Sequence, residues 1–394
     1  MKKDSNIRCP ACDGSEMEIF YSLASVPSNS CLLLDTAESA RAYPVGAIDL
    51  GFCSACGFIS NTSFDEKLTE YSGRYEETQG FSPTFRAFHE NLANELIARH
   101  DLRGKSVVEI GCGKGEFLHL LCALGDNTGL GFDPSYIEDR DQPVRGKRVE
   151  FIKDFFPGEY AVDDADFVAC KMTLEHIPQA RNFVTAIRQS VHGAPDSIVF
   201  VQVPESNRIF EECAFEDIYY EHCSYFTPDS LGRLFENAGF EVVRTDIEYD
   251  GQYLTVEAKY GNGELSSSRG QQALGAIRDS VLAFPQRVSE KTSKWRDTIE
   301  RRCDEGQKIV LWGSGSKGVS FLTTLGLRDE ICAVVDINPN RQGYFMAGTG
   351  HKIVAPDDLV EIDPDYVVIM NRIYTEEIRE TLNSLGVEAE LAAL

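Results

Sequence analysis

The sequence predicts an α/β protein in which two parallel-sheet units follow a cysteine-bearing N-terminal region. Short apolar runs alternate with helix-length segments in the middle of the chain and again near its end, which is typical of parallel sheets covered by helices. In each unit the first predicted strand leads directly into a glycine-rich loop. The first ninety or so residues lack long periodic segments and carry two cysteine pairs, so we expect them to fold around something other than their own core.

These patterns predict individual elements and three domains. Strands are expected at 106–110, 129–132, 166–170 and 197–203 in the middle unit and at 308–313, 331–336 and 366–370 in the last one. Helical patterns cover 91–100 and 271–302, the second as part of a connecting segment that begins near 264. We place the domain boundaries at 1–75, 76–260 and 261–394.

The composition is that of a globular protein with a large negative charge. The chain has 394 residues, 42% of them hydrophobic, and 63 acidic against 38 basic residues give a formal net charge of −25. This charge disfavours nucleic-acid and membrane-surface partners. No apolar run approaches the ~18 residues of a membrane span, and no signal-peptide pattern precedes Cys9. We expect a cytoplasmic monomer or homodimer whose cysteines are reduced or bind metal.

Two C-x-x-C pairs, Cys9 with Cys12 and Cys53 with Cys56, can supply four thiolates to one tetrahedral site. Gly57 lets the backbone turn beneath such a metal. The alternatives are four free thiols or one redox pair, but a redox C-x-x-C would need a neighbouring βαβ pattern. The spacing therefore favours structural zinc, which would stabilise the N-terminal domain without an open position for catalysis.

The first glycine-rich loop, Glu109-Ile-Gly-Cys-Gly-Lys-Gly115, follows a predicted strand directly. Its glycines allow a tight turn and close approach of the backbone to a ligand. A dinucleotide fingerprint would place its third glycine at position 116, but Glu116 stands there and would oppose a pyrophosphate. The E-x-G-x-G-x-G form resembles the first motif of class I S-adenosylmethionine (SAM) methyltransferases, whose cofactor carries no phosphate.

This resemblance implies a set of cofactor-binding residues along the first strands of the middle unit. The strand at 129–132 ends in an acidic residue that would accept the ribose hydroxyls, and a further strand before 166–170 would be followed by an adenine contact. The strand at 166–170 runs into Leu174-Glu-His-Ile-Pro178, a form common in the superfamily, in which we expect His176 to pack and hydrogen-bond rather than to catalyse. The implied cofactor-binding residues are Glu109, Gly111, Gly113, Gly115, Asp133, Asp154 and Phe155.

A dense cluster of functional side chains, Tyr219, Glu221 and His222, follows the strand predicted at 197–203, on the side where open α/β sheets place their active sites. Methyl transfer to carbon requires a base that removes a proton next to a carbonyl. A histidine in such a cluster is suited to that step. The alternative is a buried aromatic patch that contains one hydrogen-bonded histidine.

With this segment the whole chain resembles the three-domain sugar C-methyltransferases of antibiotic deoxysugar pathways, which combine a zinc module, a SAM domain and a C-terminal Rossmann-like domain. Their pattern Y-x-E-H-x-x-x-F is matched by Tyr219, Glu221, His222 and Phe226. The resemblance implies that His222 takes the α-proton of a 4-keto sugar nucleotide, while Tyr219 and Glu221 orient the sugar and stabilise the enolate. It also implies a catalytic tyrosine between the first two domains, best matched by Tyr75.

Two segments near the expected acceptor pocket depart from the family pattern. Asp250-Gly-Gln-Tyr253 stands where sugar methyltransferases have a His-Gly-Gly segment, and Glu77-Thr-Gln-Gly-Phe-Ser-Pro83 replaces a serine-rich stretch. The acceptor therefore need not be a 4-ketohexose, even where fold and cofactor are retained.

The second glycine-rich loop, Gly313-Ser-Gly-Ser-Lys-Gly318, also follows a predicted strand, and Asp336 ends the next one. This spacing fits a nicotinamide dinucleotide fingerprint, so hydride transfer is one interpretation. A tight turn without a ligand is another. Because the family resemblance assigns this domain to the substrate side, we hypothesise that Ser316 and Lys317 at the helix N-terminus hold the diphosphate of a nucleotide sugar.

The sequence thus predicts a SAM-dependent C-methyltransferase of natural-product deoxysugar biosynthesis, with His222 as general base. It would act on a nucleotide-activated keto sugar or a related enolisable acceptor. One alternative is O- or N-methylation of a small acceptor. Another is a non-catalytic binding protein built from zinc and Rossmann-like modules, which the negative charge and the Tyr-Glu-His cluster disfavour.

Overall fold

The structure is a computed structural model. The part of the chain that it describes contains three β-sheets. The described residues are 7–14, 17–138, 140, 144–156, 162, 164–261 and 271–394, with the backbone alone for 271–273. The start of the predicted N-terminal domain and the whole linker segment predicted from 264 to the helix at 271 lie outside them.

The N-terminal region forms an antiparallel sheet. Its elements are β1 (Met17–Pro27), α1 (Ala37–Arg41), β2 (Val45–Cys53) and β3 (Ile59–Asn61). Register shifts interrupt the β1–β2 pairing between Ile19 and Tyr21 and between Leu23 and Val26. Such irregularities break the strict alternation by which a strand is read from sequence, which explains why no periodic segment was expected here.

The middle unit contains a mixed sheet. Its strands are β4 (Ser106–Ile110), β5 (Thr128–Phe132), β6 (Val149–Ile152), β7 (Phe167–Lys171), β8 (Ile198–Pro204), β9 (Ser224–Tyr225), β10 (Phe240–Glu248) and β11 (Tyr253–Tyr260). All but β9 form one sheet in the order β10-β11-β8-β7-β4-β5-β6. The four strands predicted for this unit are confirmed to within a residue at each end, whereas β9 pairs with β3 of the first sheet.

The expectation of a purely parallel middle sheet is wrong at one edge. Strand β11 pairs antiparallel with both β8 and β10. The β10–β11 connection is a tight turn in which Tyr249, Asp250 and Gly251 all have positive φ angles. A turn this short can join only antiparallel strands, because a parallel pair needs a long crossover.

Helices cover both faces of the middle sheet. They are α2 (Pro83–His100), α3 (Glu116–Gly125), α4 (Ala180–Ser190), α5 (Ser206–Glu211) and α6 (Pro228–Asn237). Helix α2 begins earlier than predicted because the Ser82 side chain accepts a hydrogen bond from the Phe85 N–H and Pro83 occupies the first turn.

The C-terminal unit is a long helix followed by a fully parallel sheet. Its elements are α7 (Gln271–Asp304), β12 (Ile309–Trp312), α8 (Ser316–Leu325), β13 (Ala333–Val335), β14 (Ile353–Val354), α9 (Leu359–Ile362), β15 (Tyr366–Ile369), α10 (Thr375–Leu385) and β16 (Glu390–Ala393). The strand order is β14-β13-β12-β15-β16. The helix predicted at 271–302 and the three predicted strands are confirmed.

The N-terminal sheet shares its hydrophobic core with the C-terminal unit. Ile48 and Leu50 of β2 are buried in one cluster with Ile309 and Leu311 of β12 and Phe284 of α7. The first region therefore packs on a distant part of the chain, which agrees with the expectation that it does not fold around a core of its own.

The strand order of both parallel units reverses beside a glycine-rich loop. In the middle sheet the chain runs from β4 to β5 and β6 and then returns to β7 on the other side of β4. In the C-terminal sheet it runs from β12 to β13 and β14 and returns to β15 beside β12. Crevices at the carboxyl ends of strands at such reversals are the usual ligand sites of open α/β sheets. In the described ranges we find no helix with the length and apolar character needed to span a membrane.

Candidate active site

The first glycine-rich loop requires glycine at each of its three glycine positions. Gly111, Gly113 and Gly115 have φ angles of 69°, 54° and 83°. A Cβ atom on Gly111 would lie 2.1 Å from Thr173 Oγ1, and one on Gly113 would lie 2.6 Å from Glu77 Oε1. The loop is thus shaped by contacts that leave no room for side chains.

A cavity of about 670 Å³ lies over this loop at the reversal of strand order. Six of the seven predicted cofactor-binding residues line it, and Gly115 lies at the start of α3 instead. The Asp133 carboxylate accepts hydrogen bonds from the Gly113 N–H at 2.8 Å and from the Ser135 N–H at 2.7 Å. Phe155 is 63% exposed. The residues that line the cavity and were predicted for it are Glu109, Gly111, Gly113, Asp133, Asp154 and Phe155.

A second cavity of about 340 Å³ lies between the middle and C-terminal units. Tyr219 and His222 from the middle unit line it together with Ser316 and Lys317 from the C-terminal one. Seven residues line both cavities and form a shared wall, namely Tyr75, Glu77, Thr78, Gln79, Met172, His176 and Tyr253. The structure thus brings the predicted catalytic cluster next to the predicted cofactor cavity.

His222 and Tyr219 form a buried hydrogen-bonded pair. The Tyr219 hydroxyl lies 2.7 Å from His222 Nε2. Burial, reinforced by neighbouring His176, lowers the pKa of His222 well below its ordinary value, and burial raises the pKa of Tyr219 well above its own. At neutral pH the imidazole is therefore uncharged and accepts the tyrosine hydrogen bond, which is the state required of a proton acceptor.

Sequence reasoning missed Glu175, whereas His176 packs and hydrogen-bonds as expected. Glu175 Oε1 lies 3.9 Å from His222 Nε2, and the rings of His176 and His222 are 4.9 Å apart and nearly perpendicular. Neither carboxylate oxygen of Glu175 has a hydrogen-bond partner among the described residues, and burial raises the pKa of Glu175 to about 8. The position of Glu175 shortly after β7, at a sheet edge where ligands bind, was the signal that could have identified it.

Tyr75 and Glu221 have different surroundings. Tyr75 is buried between the two cavities, and its neighbour Tyr71 holds His176 Nδ1 at 3.0 Å through its hydroxyl. The Glu221 carboxylate lines neither cavity and instead accepts hydrogen bonds from Ser30 of the N-terminal region. Glu221 therefore anchors the segment that carries His222, and this geometry does not support the expected contact with a sugar.

The second cavity contains two cations that share one carboxylate. Lys317 Nζ donates to Asp217 Oδ2 at 2.7 Å, and Arg208 donates to the same oxygen. Burial opposes ionisation of Asp217, but Lys317 and Arg208 together lower its pKa to about 2. The group carries a net positive charge inside a strongly acidic protein. Sequence reasoning also missed Arg208, because it lies in α5 and belongs to neither glycine-rich loop nor to another recognised motif.

The second glycine-rich loop is held by its own neighbours. The Asp336 carboxylate accepts from the Ser314 N–H at 3.0 Å, and buried Arg341 donates to the Ser314 carbonyl at 2.6 Å. Ser316 Oγ lies 2.7 Å from Ser30 Oγ. Asp336, which a dinucleotide fingerprint would direct at a ribose, thus accepts a hydrogen bond from its own loop, as Asp133 does in the first unit.

The four predicted metal-ligating cysteines lie together. Sγ of Cys9 and Sγ of Cys56 are 3.6 Å apart, and those of Cys12 and Cys53 are 3.7 Å apart. All four sulfur atoms lie within 4.8 Å of one another. Tetrahedral zinc with bonds of about 2.3 Å requires sulfur atoms about 3.8 Å apart, so the donor set and its spacing fit this ion.

Comparison with known proteins gives two family matches and several relatives. Residues 84–245 match a family model described as a methyltransferase domain, and residues 271–389 match one described as a C-methyltransferase C-terminal domain. The chain is 24% identical to the C-methyltransferase NovU of Streptomyces niveus over 94% of this chain and 90% of that protein. It is 30% identical to the ubiquinone biosynthesis O-methyltransferase of Salmonella paratyphi A over 36% of this chain and 60% of that protein.

Solved structures that resemble the chain include the magnesium protoporphyrin IX methyltransferase of Synechocystis PCC 6803 with bound SAH. It has 14% sequence identity and a TM-score of 0.35, and the match covers 45% of this chain and 84% of that one.

Proposed function

We propose that this chain, which is a SAM-dependent methyltransferase, transfers a methyl group to a carbon atom of a nucleotide-activated keto sugar or a related enolisable acceptor. The single observation that carries the proposal is the placement of His222 and Tyr219 in a second cavity that shares a wall with the cofactor cavity. The match of the C-terminal unit to a C-methyltransferase domain and the relation to NovU support methylation at carbon.

The residues of the first cavity suit the cofactor. The glycine loop provides a close backbone approach, and Asp133 presents a carboxylate to the two ribose hydroxyls. Asp154 and Phe155 lie where the adenine would be held. When bound, SAM supplies an electrophilic methyl group on a sulfonium. The buried rings of Tyr75 and Tyr253 in the shared wall exclude water from the junction where the acceptor carbon would meet that methyl group.

His222 is the proposed general base. When the acceptor binds, the Tyr219 hydroxyl turns from His222 Nε2 to the acceptor oxygen, which frees Nε2. The proton next to the acceptor carbonyl passes to Nε2, and the electron pair of the broken C–H bond enters the enolate. The enolate carbon would then form the new C–C bond to the methyl group of bound SAM, while the C–S bond breaks and its electron pair stays on sulfur. Glu175, at 3.9 Å, holds its own proton at neutral pH because burial raises its pKa to about 8, so it balances the charge of the resulting imidazolium by giving up that proton. The hydroxyls of Tyr219 and Tyr75 remain protonated because burial raises their pKa values, so they can donate to the enolate oxygen.

The cations of the second cavity are proposed to bind the diphosphate. The two positive charges of Lys317 and Arg208 outweigh the single negative charge of Asp217, which leaves a net charge of +1. The backbone N–H groups at the start of α8 add further donors to this anion site. Ser316 belongs to the same turn. This interpretation reconciles an anionic substrate with the overall charge of −25.

Zinc bound by the four cysteines is proposed to have a structural role. Sulfur fills every position of the tetrahedron, so no coordination site is left for a substrate. The site would hold the two turns that flank β1 and β2 and thereby the sheet to which β9, next to the catalytic segment, belongs.

The test is a methyl-transfer assay with methyl-labelled SAM and a panel of keto-sugar nucleotides, in which NMR locates the new methyl group. We expect a C-methyl product, and we expect His222→Asn to lower its rate by about 10²- to 10⁴-fold, the usual contribution of a general base. His192→Asn, which changes an exposed histidine, is the matched control and should retain the wild-type rate. Label found only on oxygen or nitrogen would overturn carbon methylation in favour of heteroatom transfer.

A further inference from the structure

Lys171 places a buried cation in the cofactor cavity. It is the last residue of β7, its exposed fraction is 8%, and it lines the 670 Å³ cavity but not the acceptor cavity. Removing an ammonium group from water costs several kcal/mol unless an anion or several hydrogen bonds replace the lost hydration. The surroundings of Nζ therefore show whether this charge is satisfied.

Its partners within the described residues are few. Lys171 Nζ donates to His89 Nε2 at 2.9 Å and lies 4.1 Å from the centre of the Phe117 ring. Burial keeps His89 uncharged, so the histidine is an acceptor and not a counter-ion. Among the described residues, Lys171 forms no salt bridge with a carboxylate; Glu109 and Glu116 act on it only from beyond ion-pair distance.

A second unsatisfied donor lies beside this ammonium. Gln202 on β8 is paired in register with Lys171 on β7, and neighbours in a parallel ladder present their side chains to the same face. Gln202 is 1% exposed, lines the same cavity, and its Nε2 atom has no hydrogen-bond partner among the described residues. A buried amide nitrogen without an acceptor is rare in a folded protein, so Gln202 Nε2 needs an acceptor that the described residues do not supply.

We propose that Lys171 Nζ and Gln202 Nε2 bind the α-carboxylate of SAM. An adjacent ammonium and amide N–H₂ are suited to the two oxygens of one carboxylate, and the α-carboxylate is the anionic group that this cofactor carries. Lys114, another buried cation of the cavity, donates to the Ser135 carbonyl at 2.8 Å and so lies on the side of Asp133, where the ribose is expected.

This assignment orients the cofactor. With adenosine toward Asp133 and Asp154 and the amino-acid end toward β7 and β8, the sulfonium lies between them, near the wall shared with the acceptor cavity. The proposal depends on SAM binding and does not depend on the identity of the acceptor. The carboxylate assignment can therefore be wrong while the proposed methyl transfer to carbon is right. Equally, the assignment can be right while the acceptor is methylated at another atom.

The experiment is isothermal titration of the full chain with SAM and with decarboxylated SAM, which lacks only the carboxylate. The wild-type protein should bind SAM about 10- to 100-fold more tightly, the factor expected for charge-assisted hydrogen bonds. Lys171→Met should weaken SAM binding by about that factor while leaving the Kd for decarboxylated SAM within about threefold. Gln202→Leu should produce the same selective loss to a smaller extent.

Lys114→Met is the matched control, since it removes a buried lysine from the same cavity. It should weaken both ligands equally and leave the ratio of their Kd values unchanged. Circular dichroism and the melting temperature identify a variant that fails to fold, and Lys171→Arg, which retains the cation, then replaces Lys171→Met and should keep a preference for SAM. Equal loss of both ligands in Lys171→Met, or a wild-type protein that does not distinguish them, would overturn the proposal.

Discussion

The carboxylate of Glu221 accepts two hydrogen bonds from Ser30, one from its backbone N–H at 2.6 Å and one from its hydroxyl at 2.7 Å. Ser30 follows β1 of the N-terminal sheet, whereas Glu221 immediately precedes the proposed base. The Ser30 hydroxyl also lies 2.7 Å from Ser316 Oγ at the start of α8. One buried contact thus joins the N-terminal sheet, the catalytic segment and the second glycine-rich loop.

Ser30→Ala should therefore slow methyl transfer without weakening cofactor binding. The variant loses one of the two hydrogen bonds to Glu221, and the segment that carries His222 becomes less firmly held. We expect kcat to fall about 10-fold, with an unchanged Kd for SAM, because Glu221 lines neither cavity. Kinetics and titration measure the two quantities separately.

Ser22→Ala provides the matched control, since Ser22 is an exposed serine of the same N-terminal sheet. Its kcat should equal that of the wild-type chain. Parallel losses of kcat and SAM affinity in Ser30→Ala would show a general disturbance of the fold and contradict a positioning role.

Zinc removal should destabilise the chain. Elemental analysis is expected to find one zinc ion per chain, and Cys53→Ser should abolish it because three sulfur ligands no longer close the tetrahedron. Metal binding of this type contributes directly to folding, so the melting temperature should fall by roughly 10 °C or more. Cys332→Ser changes an exposed cysteine and should retain both the metal and the melting temperature. A full complement of zinc in Cys53→Ser would disprove the assignment.

The stability of the cofactor-free protein should fall as the pH rises from about 4.5 to 8, in part through Glu175. Burial raises the pKa of Glu175 from 4.5 in the unfolded chain to about 8, so the folded state holds a proton that the unfolded state has lost. Its stabilising contribution is complete below pH 4.5 and is lost as the pH approaches 8. Each such proton contributes at most about 1.4 kcal/mol per pH unit to the slope.

Glu175→Gln should flatten that slope, because the amide stays neutral throughout. Denaturant unfolding between pH 5 and 8 measures the free energy of unfolding for the wild-type and variant chains. Glu388→Gln alters an exposed glutamate and should preserve the wild-type slope. A slope that is the same in all three proteins would argue against a protonated Glu175.

The cation pair of the acceptor cavity should govern nucleotide binding. Lys317→Met is expected to weaken binding of a nucleoside diphosphate about 10-fold, and Asp217→Asn to strengthen it, because the latter raises the net charge of the group from one to two. Lys308→Met, in the same unit but on its surface, should leave the Kd unchanged. Titration with NAD belongs in the same experiment, and NAD binding without nucleotide binding would remove the diphosphate interpretation.

Several features of the candidate site are encoded locally in the sequence. The glycine loop and Asp133 follow predicted strands directly and lie at the carboxyl edge because parallel strands end there, and the Tyr-Glu-His segment is recognised by its own residue pattern. The cysteine spacing likewise predicts a four-sulfur cluster, and the fold brings those sulfurs together.

Other features have no local signal, because they depend on contacts between segments far apart in the chain. No local pattern reveals that Glu221 meets Ser30, that Asp217 binds both Arg208 and Lys317, or that Lys171 lies beyond ion-pair distance of the described carboxylates. The antiparallel edge of the middle sheet also depends on a turn at 249–251 whose positive φ angles occur at two residues other than glycine.

By itself the sequence determined the α/β class, the two glycine-rich loops and the residue types available for chemistry, because strand periodicity and loop glycines are local properties of a chain. Only the tertiary structure decided which of those residues face each other across the two cavities. Burial of a charge and the distance between side chains are set by packing, so Glu175, Arg208 and Lys171 acquired their proposed roles from their surroundings rather than from any motif.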